Sequence, residues 1–588
     1  VKGRTRREWR LRAPDRSLVR EIREATGLSP TAATILANRG IAGGIDAGRF
    51  LAGTLRDIAS PFLMNDLEKA ALRLIEAGRR NEPVLIYADY DVDGATGAAC
   101  LFLFLREAFP LLPAAIHQNH RVTDGYGLQR DRVEAAAADG VKLIVTVDCG
   151  ISDVDAIRLA NARGMDVIVT DHHLPGPELP PAAAVLNPRR RDCGFPEKDL
   201  AGVGVVFTLV RGLRDLLRGN GTGGGGEKEI DLRRYLDLVA LGTVSDMVPL
   251  RGDNRILVQA GLREIRERPR EGVNALLAVS GVDPGTANEA DLGFRIGPRL
   301  NAAGRVGDSR RSAEILVTAD RREAVRLASE LHADNARRQR EEARILRCVE
   351  SALLSGPPAD GRNAIVLADP DWHPGVLGIV ASKLVERFRR PAVLLRVEGS
   401  QARGSCRSID GFPLVDALGE LSGLLSRYGG HSQAAGLALP AENLDAFRKG
   451  LDRIAGAYAS TRESPAGVPV DAQVGLGDIS DGFLEELERM RPFGMGNEEP
   501  VLLACGLRVT RKTPFGAEGQ HLKFEVAGDG RRLEVTAFHR PEVPVEREGL
   551  VDLLFSPQRV SFRGTRRLRL LLRDVRPHER GERSASAP

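Results

Sequence analysis

The sequence predicts an α/β protein of several domains: a parallel-sheet lobe, a long helical connector, a smaller α/β lobe and a β-barrel. Three observations carry this. Short apolar runs alternate with helical stretches from about Pro61, a charged, glycine-free stretch lies between about Ser312 and Leu354, and apolar residues alternate in short runs after about Ala457. The 588 residues fit about three to five domains at roughly 100–200 residues each.

The first 60 residues are basic and mostly helical in pattern. Val84–Ala88, Leu143–Val147 and Val167–Thr170 read as buried strands, each followed by a polar or glycine-bearing turn. Helical patterns fall between them, at Arg130–Asp139 and Val154–Arg163, which is the signature of βαβ units and a parallel sheet. Gly219–Lys228 reads as a flexible surface loop. Within it Gly221–Gly226 spells GxGxxG, but no strand precedes it and charges follow, which argues against a dinucleotide site. No GxxxxGK[ST] occurs, so the P-loop ATPase class is excluded. The stretch Ser312–Leu354 reads as helices linking two lobes rather than as core. A second α/β pattern follows: strand Ala364–Ala368, helix Val376–Phe388, strand Ala392–Val397. Leu522/Phe524/Val526, Leu533/Val535, Val551/Leu553/Phe555 and Leu568/Leu570/Leu572 then suggest a small barrel, and residues from Glu579 read as disordered.

Composition sets outer bounds. Against 80 Asp+Glu stand 84 Lys+Arg, nearly all of the latter Arg, a residue suited to phosphate and carboxylate recognition. The net +4 is silent on nucleic acid, because a local basic face can hide behind acidic surface elsewhere. The apolar run Gly97–Leu105 is far too short for a bilayer, which needs about 20 residues, and no hydrophobic segment follows Arg6-Arg7. Six scattered cysteines without a CxxC pair fit a reduced compartment and argue against a cysteine zinc site. The expectation is a soluble, cytoplasmic protein.

Three strand ends deliver acids or imidazoles: Asp89-Tyr90-Asp91-Val92-Asp93-Gly94, Asp148-Cys149-Gly150 and Asp171-His172-His173. Loops at the carboxyl ends of parallel strands share one edge, so these groups can converge. Asp246 joins them at the exit of an apolar helix. Each alone has a bland reading: a helix N-cap for Asp148 or Asp171, or a calcium loop for DxDxDG, whose later ligands are missing here. Together, so many carboxylates would repel unless cations neutralised them. Carboxylates with an imidazole and no thiolate favour Mn²⁺ or Mg²⁺ over zinc or copper, and room for two ions points to two-metal hydrolysis of a phosphoester.

Asp89–Thr96, Asp148–Gly150, Asp171–His173 and Leu241–Asp246 resemble the ordered motifs of the DHH phosphoesterase superfamily. Asn119-His120-Arg121, Asp124–Gly127, Arg295–Arg305, Asp371–Gly378, Gly404–Ser408, Gly429–Gly436 and Arg491–Asn497 resemble its RecJ branch, the single-strand-specific 5′→3′ DNA exonucleases. The resemblance runs from about Trp9 to the final β region. It implies a helical region over 1–60, a DHH domain over 61–310, a connector over 311–358, a DHH-associated domain over 359–458, an OB-fold over 459–576 and a tail over 577–588.

The resemblance implies that Asp91, Asp93, Asp148, His172 and Asp246 bind two Mn²⁺ or Mg²⁺ ions. Asp89 and Asp171 would complete the catalytic set, and His173 would contact the scissile phosphate. Many DHH relatives carry a His two residues before the first Asp of this run; Tyr87 stands there instead, as the resemblance to the RecJ branch implies. Arg121, Ser405 and Arg407 resemble its 5′-end pocket, while Arg299, Asn301, Arg305 and His431 would line the substrate path. The OB-fold would track the strand through Arg559, Arg563, Arg566, Arg567, Arg569, Arg573 and Arg576, with Phe515, Phe524 or Phe562 stacking bases. The implied activity is release of mononucleotides from the 5′ end of single-stranded DNA in recombination and repair. The implied partners are single-stranded-DNA-binding protein and repair helicases, with a monomer and no membrane. The alternatives are an oligonucleotide or cyclic-dinucleotide phosphodiesterase, or an inactive DNA-binding scaffold.

Overall fold

A computed structural model describes residues 8–219, 230–355, 363–461, 467–516, 519–540, 542–543, 549–562 and 565–578. The GxGxxG match, the segment beyond 578 and Arg6-Arg7 lie outside these. Two compact units form, one from the described residues within Val1–Ile58, Pro249–Ile256 and Pro465–Pro588, the other from Ala59–Val248 with Leu257–Ser464.

The larger unit contains an all-parallel sheet of β1 (Val84–Ala88), β2 (Ala114–Gln118), β3 (Leu143–Val147), β4 (Asp166–Thr170) and β5 (Ala184–Leu186), in the order β2-β1-β3-β4-β5. All five residues of β3 are buried, as a strand covered on both faces requires. The order reverses at β1, and open sheets of this kind bind ligands outside the carboxyl ends of the strands at such a switch point. Ala88, Val147 and Thr170 are register partners in a row, so Asp89, Asp148 and Asp171 leave the sheet side by side. Helix α1 (Val92–Ala108) starts directly after β1 and packs against α2 (Gly202–Gly219) and α3 (Leu236–Ser245).

Beyond α4 (Gly297–Val306), the 35-residue α5 (Arg321–Ser355) runs to a second sheet. Its strands are β6 (Ile365–Asp369), β7 (Ala392–Glu398), β8 (Gln401–Arg407), β9 (Arg427–Gly430) and β10 (Ala434–Pro440), in the order β9-β10-β8-β7-β6. Only β6 and β7 pair in parallel. Helix α6 (Pro374–Phe388) begins with proline in its first turn, and the His373 ring accepts from Gly375 N at 3.2 Å as its cap. The connector differs from the expectation in one respect. Its apolar stripe is buried, and Ile345 and Val349 share a core with Trp372, Val376 and Val380, so it is a core element as well as a link.

In the smaller unit, β11 (Leu502–Phe515), β12 (His521–Gly528), β13 (Arg531–Ala537), β14 (Leu550–Phe562) and β15 (Thr565–Pro577) follow the order β11-β12-β13-β15-β14, and β14 pairs back onto β11 to close a barrel. The N-terminal helices are not a separate region. Ile22, Ile35 and Leu36 share one core with Phe483, Leu502, Val526 and Phe555. Trp9–Leu11 pairs in parallel with Val468–Val470, and Arg39 bridges to Asp471 at 3.2 Å. Arg255 donates to the carbonyls of Phe50 and Arg491, each at 2.8 Å, which anchors Pro249–Ile256 here. No helix among the described residues is long and apolar enough to cross a membrane.

Candidate metal centre and guanidinium pocket

Each acid is aimed by the element that carries it. Asp91 caps α1, accepting from Asp93 N at 2.9 Å and Gly94 N at 3.2 Å. Gly94 leaves room for this turn, since a Cβ there would lie 2.5 Å from the Asp89 carbonyl oxygen. Asp93, in the first turn of α1, accepts from Gly202 N (2.6 Å) and Val203 N (2.8 Å) at the start of α2. Asp148 takes a left-handed conformation (φ 60°), uncommon for a non-glycine residue though one that aspartate tolerates. Asp246 ends α3. Gln118 Nε2 pins the first loop by donating to the carbonyls of Asp89 (3.2 Å) and Asp91 (3.3 Å).

These groups converge on His172. Its Nε2 lies 3.1 Å from Asp148 Oδ1, 3.6 Å from Asp246 Oδ2 and 3.9 Å from Asp93 Oδ2. Ligand atoms gather in three sets, each within 4.8 Å: Asp93/His172/Asp246, Asp148/His172/His173 and Asp89/Asp91/Asp148. Asp89 Oδ1, Asp148 Oδ1 and both His172 ring nitrogens are buried without a hydrogen-bond partner. Burial first, then neighbouring aspartates, push the carboxyls of Asp89, Asp148 and Asp246 well above the usual range and Asp93 up to about 7. Burial, then the charge of His173, lowers His172 to about 4, which leaves its ring neutral and able to ligate. Partnerless buried oxygens and mutually repelling carboxylates are what a divalent cation corrects, and a set of oxygens with an imidazole fits Mn²⁺ or Mg²⁺.

Asp171 stands apart from these sets. It accepts from Ile151 N (3.0 Å), His172 N (2.7 Å), His173 N (3.0 Å) and His173 Nδ1 (2.8 Å). Burial opposes its charge, yet the His173 contacts outweigh that and hold it below the usual range. With both oxygens occupied, it orients the two histidines. Tyr126 Oη lies 3.0 Å from His173 Nδ1, a contact that its place in the Asp124–Gly127 motif does not reveal.

A second cluster lies in the same unit. Arg121 Nη2 donates to Tyr90 Oη at 2.9 Å, and its guanidinium carbon lies 4.3 Å from that ring's centroid. Arg305 donates to Gly375 O at 3.1 Å. Burial and then Arg121 lower both Arg407 and Arg305, the latter to about 9. On β8, Ser405 and Arg407 face α6 at Gly378, where a Cβ would lie 2.8 Å from Arg407 Nη2 and 3.5 Å from Ser405 Oγ. No ion pair to Arg121, Arg305 or Arg407 is found among the described residues, so the cluster is a set of donors awaiting an anion. Asn301 is half-buried one turn before Arg305 on α4. Arg299 turns instead to His332 Nδ1 (3.2 Å) and the Arg295 carbonyl, and His431 is exposed beyond β9, so neither joins either cluster.

The barrel corrects the expected arginine groove. Arg559 pairs with Glu488 (3.3 Å), Arg573 with Glu499 (2.5 Å) and Arg576 with Asp552 (3.2 Å), while Arg569 donates to Gln558 (2.8 Å). Of these partners Asp552 and Gln558 are on a barrel strand, while Glu488 lies in the last turn of a helix and Glu499 precedes β11. Arg567 stays exposed; Arg563 and the side chains of Arg566 and Phe562 lie outside the described residues. Phe524 is core. Phe515 joins His521 (5.0 Å between centroids) and Phe538 (6.0 Å), and Phe538 is 43% exposed.

A parallel sheet whose switch point gathers aspartates around a DHH turn, in one unit with a cluster of half-buried arginines, defines a DHH-type phosphoesterase. Residues 83–243 match the DHH family N-terminal domain, 361–457 the DHHA1 domain and 470–574 the RecJ OB domain. The single-stranded-DNA-specific exonuclease RecJ of Dickeya dadantii (strain 3937) is 38% identical over 542 residues, 89% of this chain and 92% of that one. RecJ of Escherichia coli (strain K12) is 35% identical over 566 residues, 94% and 96% of the two chains. The crystal structure of RecJ in complex with Mn²⁺ from Thermus thermophilus superposes with a TM-score of 0.81 at 32% identity, over 97% of this chain and 80% of that one. The chain belongs to the RecJ family.

Proposed function

We propose that this chain is a single-strand-specific 5′→3′ exodeoxyribonuclease that releases mononucleotides, acting in recombination and repair. One juxtaposition carries the reading: a centre of buried, partnerless carboxylates in the same unit as an arginine cluster with no carboxylate of its own. The first suits cations and the second a terminal phosphate. Asp91, Asp93, Asp148, His172 and Asp246 would hold two Mn²⁺ or Mg²⁺ ions, with Asp89 beside them. Bound there, the ions supply an activated water and charge stabilisation for an in-line displacement at phosphorus. The residues do the rest of the positioning. Asp171 fixes the two imidazoles, and its hydrogen bond raises His173, against burial, so that the ring can donate to the scissile phosphate. Arg121, Ser405, Arg407 and Arg305 grip the 5′-terminal phosphate.

On the barrel, the exposed Phe538 with Phe515 offers faces for bases, with Lys523 5.4 Å from the Phe515 ring and Arg569 5.7 Å from that of Phe538. The chain acts as a cytoplasmic monomer that consumes strands opened by repair helicases or coated by single-stranded-DNA-binding protein. A phosphodiesterase of small dinucleotides needs no such barrel, and an inactive scaffold would have lost ligands, whereas every expected acid is filled.

End-labelled DNA tests the reading. With Mn²⁺ the protein should digest 5′-phosphorylated single strands and leave blunt duplex intact. Equal digestion from a blocked 5′ end, or full activity in Asp148→Ala, would overturn it.

A further inference from the structure

In the loop Asp89-Tyr90-Asp91, the two aspartates belong to one ligand-atom set with Asp148, while the residue between them reaches the other way. Tyr90 holds Arg121 through its hydroxyl and through its ring face. We propose that Tyr90 is a positioning residue that ties the guanidinium pocket to the metal centre, and so sets the one-nucleotide register of the cut. The proposal rests on the hydrolytic reading above and adds to it the part that spaces its two sites.

Three observations support this. The loop is stiff: Gln118 pins the carbonyls on either side of Tyr90, and the Tyr90 carbonyl packs on Gly304, where a Cβ would lie 2.9 Å from its oxygen. Among the described residues no carboxylate pairs with Arg121: Arg305 and Arg407 repel it, and Asp89 attracts it without an ion pair. Tyr90 is therefore its direct hold in the cluster. Finally, Gly304 adjoins Arg305, so the same tyrosine meets the pocket from two sides, by side chain at Arg121 and by backbone beside Arg305. A terminal phosphate seated on these arginines is thereby held at a spacing from the carboxylates that one side chain fixes. The phosphodiester that reaches the centre is then the first one along the strand.

Single-turnover digestion of 3′-labelled strands carrying either a 5′-phosphate or a 5′-hydroxyl tests this, using wild type, Tyr90→Phe and Tyr90→Ala. Mn²⁺ affinity is measured in parallel by electron paramagnetic resonance. Loss of one hydrogen bond to a charged group should lower the kcat/KM preference for 5′-phosphate on the order of tenfold in Tyr90→Phe. Tyr90→Ala, which also loses the ring contact, should lose more and make a fraction of first cuts two nucleotides in. Mn²⁺ binding should persist in both. Unchanged preference with single-nucleotide cuts in both variants would overturn the proposal. So would loss of Mn²⁺ affinity in step with activity, which would make Tyr90 a support of the metal loop alone. A wild type that leaves every strand intact would instead sink the hydrolytic reading itself.

Discussion

Chelating the divalent ions and raising the pH sets the buried carboxylates of the centre against one another. In metal-free protein, Asp93 keeps its proton up to about 7, against an ordinary 3.8, because of burial and then Asp91. Between those values the folded state binds a proton that the unfolded chain has released. Stability from this group is thus full near pH 4 and lost as the pH rises through about 7, a change of about 4 kcal/mol. His172 works the other way. Burial and His173 lower it from 6.5 to about 4, so it adds about 3 kcal/mol as the pH rises over that range and nothing further well above it. The two nearly offset each other below about pH 6.5. Asp89, Asp148 and Asp246, all raised, and His173, also raised, tip the balance toward loss at higher pH. Urea unfolding in EDTA at about pH 6.5, 7.5 and 8.5, followed by circular dichroism, should show stability falling by on the order of 1–3 kcal/mol. Saturating Mn²⁺ should remove most of that slope. Stability that is flat or rising with pH in EDTA would refute the reasoning.

Asp148→Asn removes one repelling charge at an oxygen that has no hydrogen-bond partner. Metal-free Asp148→Asn should be at least as stable as wild type at pH 8, while hydrolysis with Mn²⁺ falls on the order of a thousandfold or more, measured by unfolding and by release of labelled nucleotide. Gly378→Ala places a methyl 2.8 Å from Arg407 Nη2, the movable end of that side chain. The helix should tolerate alanine, but KM for 5′-phosphorylated strands should rise about tenfold with kcat little changed, as steady-state assays on 5′-phosphate and 5′-hydroxyl strands would show.

Much of the metal centre was legible because parallel strands impose their geometry on sequence. A buried run followed by an acid, three times over, already says that Asp89, Asp148 and Asp171 share an edge. Sequence did not separate the roles of those acids. Asp171 and Asp148 both follow a strand, and only the donors around Asp171, from Ile151, His172 and His173, mark it as an orienting group. Strand β2 was missed because Ala114–Gln118 ends in His and Gln at the sheet edge and lacks an apolar run. Strands β9 and β10 are rich in glycine and alanine and carry little pattern. The barrel arginines misled for a related reason: their density was visible, but Glu488, Glu499 and Asp552 lie too far away in sequence to be seen as their partners. Tyr90 had a signal that went unused, its parity between two aspartates aimed the other way.

The shared core of the N-terminal helices and the barrel has a consequence for how the chain is made. Trp9 Nε1 donates to Asp574 Oδ2, 565 residues further along. At roughly 5–20 residues per second, the ribosome needs about half a minute to two minutes to deliver that partner. Ile22, Ile35 and Leu36 emerge long before the surfaces that cover them, whereas the strands around the carboxylates follow one another closely and can pair as they appear. The unit that holds Trp9 is therefore completed only once Asp574 has been made, and until then its helices have each other to pack on.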